Sequence, residues 1–346
     1  MVNGKPSGQG GFSRRKILLG TAGVASLGLL AGVPLASRWG SASQAVAEGP
    51  PPFPTLPEGR LMPREARQYD NAKMSGGPGK DGIPSIDEPQ YWSAEEADGY
   101  LDGGDVVFGL VENGVVRAYP QRILVWHEIV NDVVGGLGLA VTYCPLTGTA
   151  IAFERGETEF GVSGRLVNSN LIMYDRDTDT WFPQVLAIGI SGPHRGEALV
   201  ERPMVWTTWE RWRAAHPETE VLSRDTGFAR NYNRDPYGQY NPRSGYYEPD
   251  SSTMFPLMNE DHRFPLKSVF VGARNTENAV AFRLESLREA GELELQANGE
   301  TFTARYDEAL DTGFIFQGGP DGEPLNAFEA MWFAWAAFYP ESEVHD

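Results

Sequence analysis

The chain has 346 residues, 41% of them hydrophobic and 22% charged, with 17 Phe, 13 Tyr and 9 Trp. That length and apolar content suffice for a sizeable core and exclude a largely disordered chain or a minimal scaffold. A net charge of -18 excludes nucleic acid, or an anionic membrane surface, as the main partner, because both need a basic face.

Residues 1–47 hold no acidic residue and five basic ones: Lys5, Arg14, Arg15, Lys16 and Arg38. The run Ser13-Arg14-Arg15-Lys16-Ile17-Leu18-Leu19 has the form of a twin-arginine export signal. An apolar, small-residue stretch follows from Ile17 to Ala36, and Ala45-Val46-Ala47 offers a cleavage site before Glu48. The alternative is a retained anchor, since about 20 residues just span a bilayer. Four Gly and one Pro in the stretch favour the signal. The expected location is extracellular or cell-surface, with membrane contact only through this segment if it stays uncleaved.

Without those residues the basic count is 29 less 5, or 24, against 47 acidic residues. Only Lys73, Lys80 and Lys267 among them are lysines. An acidic, Lys-poor surface holds hydration where salt competes for water, and salt screens its self-repulsion. The composition therefore reads as halophilic and archaeal. Cys144 is the only cysteine, so no intramolecular disulfide forms.

Residues 48–95, with Pro50-Pro51-Pro52 and Gly76-Gly77-Pro78-Gly79, read as a linker and irregular lead-in. The runs Val106–Val111 and Val115–Tyr119 bracket Asn113-Gly114, a hairpin signal. Leu139–Tyr143 and Ala150–Phe153 form a second strand pair, and Trp209 to His216 a short amphipathic helix. The helix motif Trp209-x-x-Trp212 through Pro217-Glu218 recurs as Trp332-x-x-Trp335 through Pro340-Glu341. The hairpin recurs as Phe270-Val271-Gly272 through Ala281-Phe282. This predicts an internal duplication, with a first repeat unit over 96–262 and a shorter, structural second one over 263–346. The expected fold is α+β and β-rich: two related antiparallel sheet units with short helices, as a sandwich or partly closed barrel.

Tyr143-Cys144-Pro145-Leu146-Thr147-Gly148-Thr149 ends a β-run with a thiol before a Pro and a Gly turn. Either a neighbouring cation makes that thiol a nucleophile or soft metal ligand, or it is a buried small hydrophobe.

Several segments together resemble one family. They are the hairpin, His127-Glu128-Ile129-Val130-Asn131-Asp132, the Tyr-Cys-Pro-Leu segment, Phe160-Gly161-Val162-Ser163-Gly164, Met173-Tyr174-Asp175-Arg176 with Trp181, and the Trp/Pro helix. In this order they resemble the domain of unknown function family 3179, over roughly residues 90–340. The resemblance carries no assigned activity. It adds weight to Asp175 and Trp181, which with Ser163 and Tyr174 are the candidate cofactor-binding residues. In many relatives the segment looks like Cys-Pro-x-Cys, a pairing suited to metal or thiol redox chemistry. Thr147 stands at the second position here, which removes a two-Cys couple and leaves a metal site resting on one sulfur.

Three roles are open for the His127 cluster. Cys144, His127 and His194 form an S/N ligand set suited to copper or zinc. Cys144 and His127 form a thiolate–imidazolium pair with Asn131, at i, i+4 on a helix, orienting the ring and Asp132 beside it. Or His127 is a hydrogen-bonding residue that fixes the first unit. Counting from Asp175, Thr180 and Leu186 stand where a calcium loop needs Gly and Glu, so that reading fails. The segment Asn231–Tyr247 is rich in Tyr, Asn and Gly and reads as a ligand-stacking loop or a loop pinned by its hydroxyls. No phosphate loop, dinucleotide fingerprint, nucleophile elbow or zinc helix is present. The expectation is an exported protein with a small pocket near Cys144 and His127, metal-binding or redox-linked, taking an unidentified small molecule. The alternatives are a cofactor-free Cys-nucleophile enzyme and a non-catalytic extracellular ligand-binding module using the Tyr-rich loop.

Overall fold

Asn113-Gly114 turns the chain as its composition predicts. In the computed structural model, which describes residues 53–346, both residues are left-handed (φ 48° and 80°). They close a two-residue turn between Val106–Glu112 (β1) and Val115–Pro120 (β2). The export segment read in residues 1–47 lies outside the described residues. Gly135-Gly136, also left-handed, joins Ile129–Val134 (β3) to Leu137–Cys144 (β4), which returns as Thr149–Glu154 (β5). Phe160–Val167 (β6), Asn170–Asp175 (β7) and Trp181–Pro183 (β8) form a third antiparallel group. Val205–Thr208 (β9), helix Trp209–Ala215 (α1) and Glu220–Leu222 (β10) return the chain to β1 and β2. A small hairpin follows, Gly238–Tyr240 (β11) with Arg243–Gly245 (β12).

The chain continues through Val269–Arg274 (β13), Ala279–Arg283 (β14), helix Leu284–Ala290 (α2) and the meander Glu292–Ala297 (β15), Glu300–Asp307 (β16) and Thr312–Gln317 (β17), to which the short strand Glu323–Pro324 adds. Ala327–Met331 (β18), helix Trp332–Phe338 (α3) and Glu343–His345 (β19) end the chain. The fold is β-rich, 41% strand and 13% helix, with several antiparallel sheets and few short helices, and among the described residues no barrel closes. No helix among the described residues is long and apolar enough to cross a membrane.

Two sheets share one strand order. One runs β9-β1-β2-β10, with Tyr91–Ser93 added at its edge; the other runs β18-β13-β14-β19. In each, the last strand pairs parallel with the second arm of the hairpin. In each, a tryptophan of the preceding helix fills the place of a missing β-carbon. A Cβ on Gly109 would lie 2.2 Å from the Trp212 ring, and one on Gly272 2.2 Å from the Trp335 ring. Both indole N–H groups donate at 3.0 Å to a hydroxyl seven residues on, Thr219 and Ser342.

From Phe53 onward the lead-in lies along the sheets. Thr55–Leu56 pairs with Ala198–Leu199, Met74–Ser75 with β6 and Tyr91–Ser93 with β10. Each covers an otherwise unpaired strand edge. The largest apolar cluster is common to both halves, running from Phe53, Ile129 and Cys144 to Trp332, Trp335 and Phe338. Helix α3 is apolar all round and every residue of it is buried, as its composition requires.

Candidate functional site

Cys144 ends β4 opposite Thr149 and is buried. Its sulfur accepts the Leu171 N–H at 3.3 Å and lies 3.8 Å from the Ser169 carbonyl oxygen. Burial, then the nearby Glu128 carboxylate, push the thiol up to about 11. His127 occupies the turn before β3. Its Nδ1 lies 2.7 Å from the Pro84 carbonyl, which only accepts, so Nδ1 carries the proton. Nε2 then accepts the Tyr232 hydroxyl at 2.7 Å. Burial lowers the ring to about 4. With both nitrogens engaged and the ring neutral, His127 is no partner for a thiolate.

The proposed metal ligands are otherwise engaged as well. His194 packs against Phe53 with tilted rings, centroids 4.6 Å apart, and its Nδ1 lies 3.0 Å from Glu197. Among the described residues no group of three His, Cys, Asp or Glu is placed to hold a metal ion. The copper or zinc set of Cys144, His127 and His194 is therefore not assembled. Asn131 does not orient His127 either. From Ile129 the chain is strand, so the helical i, i+4 face does not exist. The Asn131 amide instead bridges to β6, donating to the Phe160 carbonyl and accepting its N–H, both at 2.9 Å. Asp132 is held by the hydroxyls of Tyr91 and Tyr119 and by Arg117 at 3.0 Å.

The four residues singled out on the third sheet also do structural work. Ser163 sits at a bulge in β6, its hydroxyl donating to the Ile172 carbonyl. Tyr174 and Trp181 are cross-strand partners; Lys80 lies 3.8 Å over the Tyr174 ring and Lys73 4.9 Å over Trp181. Asp175 accepts from the Thr178 and Thr180 N–H groups at 2.6 and 2.9 Å and shapes the turn into β8. They do not converge with Cys144.

The Cys-Pro-Leu-Thr-Gly-Thr turn is a joint between the two halves. Met331 N–H donates to the Thr147 carbonyl at 2.9 Å. Gly148 is left-handed, and a β-carbon there would meet Met331 at 3.2 Å. Beneath it Thr147, Thr149, Asn170 and Gln184, all fully buried, satisfy one another at 2.6–3.0 Å.

The Tyr-rich segment closes over this joint, pinned by hydroxyls. Tyr246 donates to the Leu146 carbonyl at 2.7 Å, Tyr247 to Asp235 at 2.9 Å, and Tyr240 meets the Tyr143 hydroxyl at 3.0 Å. Tyr240 stacks on Tyr247 at 3.9 Å and stands edge-on to Trp206 at 5.1 Å. Trp206, Tyr240, Arg243, Lys267, Glu329 and Met331 wall a cavity of about 30 Å³. Trp206 and Glu329 separate it from a second of about 30 Å³ that reaches Thr312 and Phe328. Tyr240, Arg243 and Val269 form its common wall with an outer groove of about 590 Å³, where Arg283 and Arg288 also stand. Burial raises the Glu329 carboxyl to about 8, and its one hydrogen bond among the described residues is from Thr312 at 3.2 Å.

A match to a family model covers residues 80–342. The chain belongs to the DUF3179 family, described as proteins of unknown function. Neither a curated protein nor a solved structure matches it. In this DUF3179 domain, sequence reasoning passed over Trp206, Arg243 and Glu329. Glu329 carried a readable signal, a lone carboxylate in the apolar run Phe328–Phe333. Glu128 stands in the His127 motif read from the sequence, but that reading gave it no role. That residue is left-handed (φ 59°), takes the Leu124 carbonyl on its N–H at 2.7 Å, and has no side-chain hydrogen bond among the described residues. Burial raises its carboxyl to about 8.

Proposed function

We propose that the protein is an exported small-molecule-binding module whose site is the aromatic cleft between the β11–β12 hairpin and the β18-β13 edge. The supporting observation is the fixed aromatic wall: Tyr240 is stacked, hydrogen-bonded and wedged against Trp206 beside a groove of about 590 Å³. A wall already held in place loses little freedom on binding. Export rests on the Ser13–Leu19 signature, and the salt-adapted reading on the acidic, Lys-poor composition. The shared strand order, with a Gly–Trp contact in each sheet, supports an origin by internal duplication.

The test is a titration of the purified chain at high salt with sugars, amino acids, carboxylic acids and phosphate esters. Tryptophan emission and melting temperature are read together. A saturable response that Y240A removes is expected. No response from any class, in a protein that melts cooperatively, rejects the reading.

A second reading rests on Glu128, a buried and unpartnered carboxyl close enough to raise the Cys144 thiol. It makes the two an acid–base pair inside the first unit. Alkylation of Cys144 should then show an inflection near pH 8, the Glu128 value, that E128Q removes. An identical profile in E128Q rejects the pair.

A further inference from the structure

Glu329 stands at the joint between the two halves of the fold. It lies on β18 opposite Val271 of β13, and two residues on, the Met331 N–H reaches the Cys144 turn through the Thr147 carbonyl at 2.9 Å. The residue is 9% exposed. Its Oε1 accepts the Thr312 hydroxyl at 3.2 Å, and its Oε2 has no hydrogen-bond partner among the described residues. Both inner cavities touch it. One lies between Glu329, Trp206, Tyr240 and Met331, the other between Glu329, Trp206, Thr312 and Phe328. Each, at about 30 Å³, holds roughly one water. Trp206 belongs to β9 and Tyr240 to β11, so elements of both halves wall the space around this acid.

A carboxyl in this position is accommodated as the neutral acid. An ionised carboxylate offers about four acceptor sites. Thr312 fills one, and two spaces of one water each leave the charge short of hydration. We infer that Glu329 is a pH-operated latch: protonated, it keeps the inner wall of the cleft shut, and ionised, it draws water from the groove past Tyr240 and Trp206, so that the two inner cavities open into the cleft. The inference rests on the binding reading above for the use of that opening, and adds its regulation. Burial raises the carboxyl from its ordinary 4.5 to about 8, so the closed state is fully favoured below the ordinary value and is lost as pH rises through 8. The charged groups facing it divide. Asp311 opposes ionisation, while Arg243 and Arg288 on the groove side favour it. Arg288 is already paired with Asp311 at 2.7 Å, so the exposed Arg243 is the cation that turns toward the carboxylate once the wall parts. Lys267 spends its three N–H donors on Tyr246, Ser251 and Ser252 and has none left for Glu329. It also titrates near pH 8, lowered by burial, so a variant of Glu329 rather than pH alone assigns the change. Tyr240, whose hydroxyl meets that of Tyr143, is raised by burial and stays neutral over this range.

The test needs no ligand. The chain has 9 Trp, and the Trp206 component is the parent emission less that of W206F. Its emission maximum and its quenching by acrylamide are followed in the intact chain at constant high salt from about pH 6.5 to 9.5, a window that brackets the Glu329 transition. A red shift and stronger quenching are expected, with a midpoint near pH 8. E329Q, whose amide imitates the neutral acid, should lose that step and melt with the parent at the acidic end of the window. Hydrogen exchange of Val205–Thr208 and of residues 238–245, corrected for intrinsic rate, reads the same opening without a change at Trp206. A step of parent size in E329Q overturns the latch. So does a parent with no step in either measurement. Both failures leave the binding reading standing, because the ligand titration at one pH decides that. If that titration finds no ligand, a step that E329Q abolishes still establishes the latch.

Discussion

The carboxylate of Glu201 receives the Arg274 guanidinium at 2.6 Å and, from another direction, that of Arg60. Asn326 adds a donor at 2.7 Å, while Arg274 also donates to the Tyr339 hydroxyl and the Val185 carbonyl. One buried acid thus ties the N-terminal lead-in, the β5 edge and β13. Burial alone would raise the Glu201 carboxyl; Arg274, then Arg60, outweigh it and hold it below the usual range. Removing one member leaves buried charge without compensation. E201A is expected to cost about 3–5 kcal/mol in denaturant unfolding. A loss below about 1 kcal/mol would show that water reaches the guanidinium groups. Because the folded pKa is depressed, this stabilisation is present above the ordinary carboxylate pKa and is lost as pH falls through the lowered value.

Gly272 lies under Trp335 as Gly109 lies under Trp212. A methyl group in either place meets an indole ring that is fully buried and anchored by its N–H. G109A and G272A should each destabilise by about 1–3 kcal/mol or more. The same change at Gly114, where a β-carbon meets nothing, should cost only the strain of its left-handed backbone. Thermal melts of the three variants provide the comparison; equal effects would argue against the Gly–Trp contacts.

His127 and Glu128 are adjacent and titrate with opposite consequences. Burial lowers His127 to about 4, so its contribution is present above its ordinary pKa of about 6.5 and is lost as pH falls toward 4. Burial raises Glu128 to about 8, so its contribution is complete below about 4.5 and is lost as pH rises toward 8. Between those ordinary values the two slopes offset. From pH 6.5 to 8 only the Glu128 slope of this pair remains, and Glu329 adds to it. Unfolding free energy should therefore decline from pH 6.5 to 8, and E128Q should reduce the decline. An E128Q profile parallel to the parent in that window would contradict this origin.

The Cys144 thiol, buried and pushed to about 11, should be nearly inert in the native protein. Its alkylation by iodoacetamide at pH 8 is expected at under about one-tenth of the rate in the unfolded chain, because the thiolate is scarce and access is blocked. Mass spectrometry of timed samples measures the ratio. Comparable rates would require an open path to the sulfur.

The sequence by itself determined the local elements: the Asn113-Gly114 hairpin, the strand pair around the Cys144 turn, the Trp209 helix and the family, since turn chemistry and apolar period act over a few residues. Tertiary structure decided which side chains meet. His127 and Cys144 are near in sequence, yet Pro84 and Tyr232 take the imidazole and Leu171 and Ser169 meet the sulfur. The cleft joins Trp206, Arg243, Lys267 and Glu329 from four separated segments. Hydrogen-bond partners and pKa values depend on burial and on distances across the fold, and neither is encoded in the spacing of residues along one strand.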